Sequence, residues 1–421
     1  MHSFERTRTS RDRSSFQLVR CHSRRCIIEQ YVEIKLSVAC REKSGYNTSM
    51  KTIGKRPTRE LGQALPVIRG LLAKPSDSED DPWHRVILTK SPTSVRRGLT
   101  VTGLLSSDSA EALRGKIKTM LDTQFPGRSS RPVGVNIQGF GSFQVSATPI
   151  RDLSPLENKV ALVTGAAGAI GAGICRLLLK KGCRVVATDV MPDRLNILVK
   201  ELARNARGRI AGVTMDVTDK ASVAEGFAQA ACAWGGVDIV VVNAGIAMVA
   251  PLMEMDLEAF RRLEKVNIEG TLLTLAEAGR SMVRQGTGGD IVLISTKNVF
   301  APGAQFGAYS ATKAASHQLA RIASLEFASF DIRVNMVAPD AVFSEGTRKS
   351  GLWAEIGPSR MKARGLDEKG LEEYYRSRNL LKARVTATHV ANAVLFLATR
   401  QTPTTGATIP VDGGLPDAAP R

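Results

Sequence analysis

The sequence predicts an α/β fold, a doubly wound parallel sheet with helices on both faces, preceded by a poorly ordered basic N-terminal extension. Three observations carry that expectation. From Glu157 onward short β-branched runs alternate with helical stretches, the pattern of βαβ units joined by right-handed crossovers. Hydrophobic residues make up 43% of the 421-residue chain and aromatics only 5%, so the core is aliphatic, as buried parallel strands and their covering helices require. The positive charge is uneven: residues 1–150 hold 25 Lys/Arg against 13 Asp/Glu, two thirds of the net +18.

The chain reads as three segments. Residues 1–60 form a basic leader expected to be disordered, opening "MHSFERTRTSRDRSSFQLVRCHSRR". Its Arg and Ser content is that of a transit peptide, though Glu5 and Asp12 count against one, and Met50 offers a second plausible start. Such a run can bind nucleic acid or acidic membranes but is more often simply solvated, so neither partner is expected. Cys21 and Cys26 with His22 lack a second ligand pair at metal spacing, so no metal is expected and the six cysteines suit a reducing compartment. No apolar run reaches the ~18 residues of a membrane span. A cytoplasmic protein is expected, or an organellar one if the leader is an address.

Residues 61–155 are a small region and linker, with turn compositions in "KPSDSEDDP", "SPTS" and "PGRSSRP". Within it "SAEALRGKIKTMLDTQF" has helical periodicity, with Ala112, Leu113, Ile117, Met120 and Leu121 on one face, and "VGVNIQGFGSFQV" has strand character. "GFGSF" resembles a strand motif of bacterial histone-like DNA-binding proteins, but "QVSATPI" stands where a basic arm should follow, so a local hairpin is expected.

Residues 156–421 carry the sheet. "KVALVTG", "RVVATDV", "RIAGVTMDV", "DIVVVNAG", "DIVLIST" and "IRVNMVAP" are its strands, with "AIGAGICRLLLKKG" and "ASVAEGFAQAACAWG" among the helices. "VTGAAGAIG", Val163 to Gly171, follows the first strand. Glycines there let backbone approach a pyrophosphate, whose charge the next helix's N-terminus favours. The second strand ends at Asp189, where a carboxylate can accept from an adenosine ribose and would repel a 2′-phosphate, which favours NAD over NADP. The arrangement is Rossmann-type.

Tyr309 and Lys313 lie one turn apart on one helical face. An ammonium beside a phenol favours phenolate and makes tyrosine a usable base.

With these residues in view the sequence resembles the short-chain dehydrogenase/reductase family, over about 265 residues to the C-terminus. The family's Thr-Gly-x-x-x-Gly-x-Gly falls on Thr164, Gly165, Ala169 and Gly171, alanine replacing the middle glycine beside Gly168. The resemblance implies cofactor contacts from these and Ile170, from Asp216 and Val217 in the "MDV" stretch, from Asn243, Ala244 and Gly245, from Pro339 and Val342, and from Tyr309 and Lys313 themselves. It implies Tyr309 as acid/base, Lys313 as its tuner and ribose ligand, and Asn267 as a helix-distorting residue holding a relay water. The family's serine, thirteen residues before the tyrosine, is Thr296 here. Strand alternation sends Thr296 into the site and Ser295 to the sheet's other side. A homodimer or homotetramer is implied, and an alternative is an NAD(H)-binding scaffold or sensor with weak or lost catalysis.

"STKNVFAPGAQFGAYSATKAA", "RVNMVAPDAVF" and the ending "VDGGLPDAAPR" further resemble the dehydrogenase half of bifunctional rhamnulose-1-phosphate aldolase/alcohol dehydrogenases, Asp340 included. Only His2, His22 and His84 precede residue 150, so aldolase activity is not expected. Lys297 and Asn298 are candidate substrate ligands, and Phe343 to Arg384, with ten Lys/Arg against six acids, is the natural lid. The implied reaction interconverts an alcohol and a carbonyl with NAD on a small sugar, polyol, hydroxy-aldehyde or sugar phosphate.

Overall fold

A computed structural model describes residues 56–78, 80–104, 108–127, 131–147, 154–206, 208–345 and 348–416. The first helix, α1 (Arg56–Leu72), begins before the expected end of the leader, the rest of which lies outside the described residues. Gly62 and Pro66 read as helix breakers in the sequence, but tertiary packing overrides them: a Cβ on Gly62 would stand 2.5 Å from that of Ala228, so glycine permits the close approach.

After a two-residue ladder, β1 (Lys74–Pro75) with β2 (Trp83–His84), come β3 (Ile87–Ser91), β4 (Gly98–Val101), α2 (Ala110–Gln124), β5 (Gly134–Ile137) and β6 (Gly141–Ser146). They form a four-stranded sheet in the order β3-β6-β5-β4, parallel only between β4 and β5, whose crossover is α2. The helix and the "GFGSF" hairpin expected here are both present, with residues 138–140 turning β5 into β6. The described residues from α1 through β6 thus make a small α/β layer. Its core of Leu65, Ile68, Leu99, Ile117, Val135 and Phe143 takes in Ala231 from the larger part.

That larger part runs β7 (Val160–Val163), α3 (Ala169–Lys180), β8 (Arg184–Asp189), α4 (Pro192–Ala203), β9 (Ile210–Thr214), α5 (Lys220–Trp234), β10 (Ile239–Val242), α6 (Leu257–Leu263), α7 (Gly270–Gln285), β11 (Gly289–Ile294), α8 (Gly307–Phe327), β12 (Ile332–Pro339), the hairpin β13 (Ser344–Glu345) and β14 (Arg348–Lys349), α9 (Gly351–Arg364), α10 (Glu368–Ser377), α11 (Ala387–Ala398) and β15 (Thr408–Val411). Seven strands form one parallel sheet in the order β15-β12-β11-β10-β7-β8-β9. β7, β10 and β11 are buried along their whole length, as parallel strands covered on both faces must be. Ile174, Leu178, Leu198 and Val394 from α3, α4 and α11 cover one face. Phe227, Leu275, Met282 and Ala320 from α5, α7 and α8 cover the other. The order reverses between β7 and β10, and ligand crevices open at the carboxyl ends of strands at such a switch point.

One buried cluster joins the small unit to the large one. Arg69 of α1, 1% exposed, donates to Asp238 Oδ1 and Oδ2 at 3.0 and 2.7 Å, to Gln285 Oε1 at 3.1 Å, and to the carbonyls of Val86 and Asn158. Arg85 adds an ion pair to Asp238 at 3.1 Å. Burial alone would raise the Asp238 carboxyl, but the two guanidiniums hold it below the usual carboxylate range.

Candidate active site

The carboxyl ends of β7, β8, β10, β11 and β12 border a cleft of about 640 Å³. Its floor is the glycine turn. Gly165 has φ +59°, and a Cβ there would lie 2.9 Å from Ala244 Cα, while one on Gly171 would lie 2.5 Å from the Gly165 carbonyl. The turn is therefore held open by two obligatory glycines. Ala169, the residue departing from the family pattern, is the first of α3 and has no left-handed φ, so its methyl strains no turn. Gly168 caps α3 without a side chain, leaving the helix's first N–H groups for an anion. These features fit the pyrophosphate of a dinucleotide.

Thr164 and Asn243 serve beneath this floor. Thr164 is fully buried; its Oγ1 accepts from the amides of Asn243 and Ala244 at 2.9 and 3.0 Å, and Asn243 Nδ2 donates to the carbonyls of Thr164 and Gly165. They lock the end of β10 to the turn, and of the two only Asn243 borders the cleft. Asp189 closes β8, its oxygens accepting from the amides of Ala167 and Met191, each at 3.0 Å. Asp216 accepts from Thr218 N and Oγ1. Both acids line the cleft, as do Ile170, Val217, Ala244, Gly245, Pro339 and Val342.

At the other end stand Thr296 and Lys313, both buried, and Tyr309, partly buried. Thr296 lies just past β11 in extended backbone and accepts from the Asn298 amide. Burial pushes the Tyr309 phenol up to about 12, against a smaller lowering by the Thr296 hydroxyl. Lys313 Nζ donates to the Ile294 carbonyl at 2.6 Å, and burial brings the ammonium down to about 8. The ammonium is thus held at the strand end, and the tyrosine is not lowered in the free protein.

Ser295 departs from the expectation that it faces away from the site's helix. Leu293 packs on the α7 and α8 side while Ile294 packs on the other, so alternation returns Ser295 to α8. There its hydroxyl bonds His317 Nδ1 at 2.9 Å, eight residues along from Tyr309.

Asn267 sits in a π-helical turn, Glu264–Glu269, between α6 and α7, the kind of helix distortion expected of it. Its amide exchanges bonds with Ile246 N and O and donates to Thr312 Oγ1, all at 3.0 Å. Its carbonyl accepts from Thr271 Oγ1 at 2.7 Å and Ser316 Oγ at 2.6 Å.

Lys297 and Asn298 border the cleft, but Lys297 Nζ turns back to the Ala301 carbonyl at 2.9 Å. The expected lid contributes Ser350, Trp353, Ile356, Arg360, Tyr375 and Arg378 to the far wall. Arg378 pairs with Asp340 at 2.5 Å and lies over the Tyr375 ring. Sequence reasoning missed these wall residues; the lid's excess of basic residues was the available signal.

The family model for short chain dehydrogenases matches residues 159–355. An uncharacterized oxidoreductase of Bacillus subtilis is 38% identical over 267 residues, 63% of this chain and 38% of that protein, so the chain spans well under half of that relative. The sorbitol dehydrogenase of Cereibacter sphaeroides is 33% identical over 190 residues, 45% of this chain and 73% of that one. Among solved structures, sorbitol-6-phosphate 2-dehydrogenase of Erwinia amylovora superposes with TM-score 0.56 at 30% identity, covering 60% of this chain and 98% of that one. The chain belongs to the short-chain dehydrogenase family. It is an oxidoreductase of the class that acts on alcohols.

Proposed function

We propose that this protein is an NAD-dependent dehydrogenase interconverting an alcohol and a carbonyl on a small polyol, sugar, hydroxy-aldehyde or sugar phosphate. The observation that carries this reading is that Thr296, Tyr309 and, one turn on, Lys313 border the same cleft as the glycine turn of Gly165, Gly168 and Gly171. The dinucleotide would lie on Gly165, Gly168 and Gly171 with its ribose at Asp189, whose charge disfavours a 2′-phosphate. When bound, it accepts hydride from the alcohol carbon. Tyr309 takes the hydroxyl proton, Thr296 donates to the developing carbonyl oxygen, and the Lys313 ammonium favours the phenolate. In reduction the same groups act in reverse. The relatives named for sorbitol and sorbitol 6-phosphate support a polyhydroxylated substrate. The narrower likeness to rhamnulose-1-phosphate aldolase/alcohol dehydrogenases rests on the segments around Thr296 and Asp340, on "GLDEKGLEEYYRSRNLLKARV" and on the ending "VDGGLPDAAPR", and none of these relatives carries that activity in its name.

Exposed Leu272 on α7 and Ile322 and Leu325 on α8 suit a homo-oligomer built on those helices. A screen of NAD reduction over polyols, lactaldehyde and sugar phosphates tests the activity, since an alcohol dehydrogenase must turn over at least one alcohol in it.

A further inference from the structure

Four arginines are almost fully buried among the described residues: Arg69, Arg85, Arg360 and Arg400. Arg69 and Arg85 pair with Asp238, and Arg400 pairs with Asp290 and Asp331. Arg360, 5% exposed on α9, makes no ion pair with any described residue. Its Nη1 donates to Gln305 Oε1 at 3.2 Å, its guanidinium lies 4.9 Å from the Phe306 ring centre, and its charge acts on the Tyr375 phenol. Its Nε is buried with no hydrogen-bond partner. A buried guanidinium without a counter-charge is costly to keep, and this one borders the cleft beside Tyr309.

The surroundings hold Arg360 in place rather than neutralise it. Gln305 is held at φ +70°, a left-handed conformation that few non-glycine residues adopt. Its carbonyl accepts from Ala250 N at 2.9 Å. Phe306 caps the helix of Tyr309, and the two rings lie 6.1 Å apart. The neighbouring wall acid, Asp340, is taken by Arg378.

We propose that Arg360, presented by Gln305, receives a carboxylate or phosphate on the substrate, so that the preferred alcohol is a hydroxy acid or a phosphorylated polyol rather than a neutral one. The planar fork of a guanidinium matches either group through two parallel bonds. This deepens the dehydrogenase reading above and rests on it.

The test compares kcat/KM for sorbitol, gluconate and sorbitol 6-phosphate with NAD, in the wild type, Arg360→Met and Arg360→Lys. An anionic substrate should exceed sorbitol by roughly 10- to 100-fold in the wild type, the gain of charge-assisted bonds. Which anion does so distinguishes carboxylate from phosphate. The ratio should fall to about one in Arg360→Met and lie between in Arg360→Lys; as a ratio, it does not depend on how much of each variant folds. A wild-type ratio near one, or a preference that survives Arg360→Met, overturns the subsite and leaves the dehydrogenase intact. If none of the three compounds is oxidised, melting of the NADH-saturated protein decides. Inorganic phosphate should raise the melting temperature of the wild type but not of Arg360→Met, and equal shifts overturn the subsite. Failure of the dehydrogenase reading looks different, as absence of NAD reduction with every alcohol.

Discussion

Thr296 borders the cleft together with Tyr309, while the hydroxyl of Ser295 beside it hydrogen-bonds His317 Nδ1. Thr296→Ala should therefore lower kcat by about 10²- to 10³-fold, the usual loss of one donor to a developing oxyanion. Thr296→Ser should restore most of it. Ser295→Ala should cost under about threefold in kcat and show mainly in thermal stability, because it removes one buried hydrogen bond. Steady-state kinetics on the three variants check the assignment.

The pH dependence of alcohol oxidation follows from the two buried groups. Tyr309 must lose its proton, and with the phenol at about 12 the phenolate fraction gains tenfold per pH unit. Lys313 must keep its proton, and above about 8 its charge is lost at the same rate. Log kcat should rise with unit slope below pH 8 and level off above it. Lys313→Arg, which stays charged, should carry the rise beyond pH 8.

Asp189 should decide between the two nicotinamide dinucleotides. Replacing it by serine removes the charge that opposes a 2′-phosphate. The ratio of kcat/KM for NADP to that for NAD should rise on the order of 10- to 100-fold, read with either cofactor varied at fixed alcohol.

Arg69→Met should leave the Asp238 carboxylate buried with a weaker partner and cost about 3–5 kcal/mol of unfolding free energy, measured by urea denaturation. The native carboxyl of Asp238 is held below its ordinary value. Its contribution is therefore present at neutral pH and is lost as pH falls through and below the ordinary carboxylate value of about 4. In Arg69→Met the acid limb of the stability curve should begin at higher pH.

The larger part of the fold was legible because aliphatic runs such as Val160–Val163 and Ile239–Val242 recur between helices and admit few other arrangements. The place of Thr296 beside the cleft was legible too, from the thirteen-residue interval to Tyr309. What alternation could not say is where α8 crosses the end of β11, and so it sent Ser295 to the wrong face. Helix α1 crosses the boundary drawn at residue 60, and its Gly62 is explained by the close approach of Ala228, which sequence does not show. Arg360 was unreadable for a related reason: in sequence it is one of ten basic lid residues, and its burial without an ion-pair partner among the described residues is a property of the packed wall.

The central claim is that Tyr309 moves the proton in an NAD-linked alcohol oxidation. Its most direct test is NAD reduction by wild type and Tyr309→Phe over polyols, lactaldehyde and sugar phosphates, with NADH affinity measured alongside. The account predicts turnover of at least one alcohol by the wild type, a loss of at least ~10³-fold in Tyr309→Phe, within the range for a removed general base, and NADH binding that stays within about twofold. Activity that survives Tyr309→Phe, or tight NADH binding by a wild type that oxidises none of these alcohols, would contradict it.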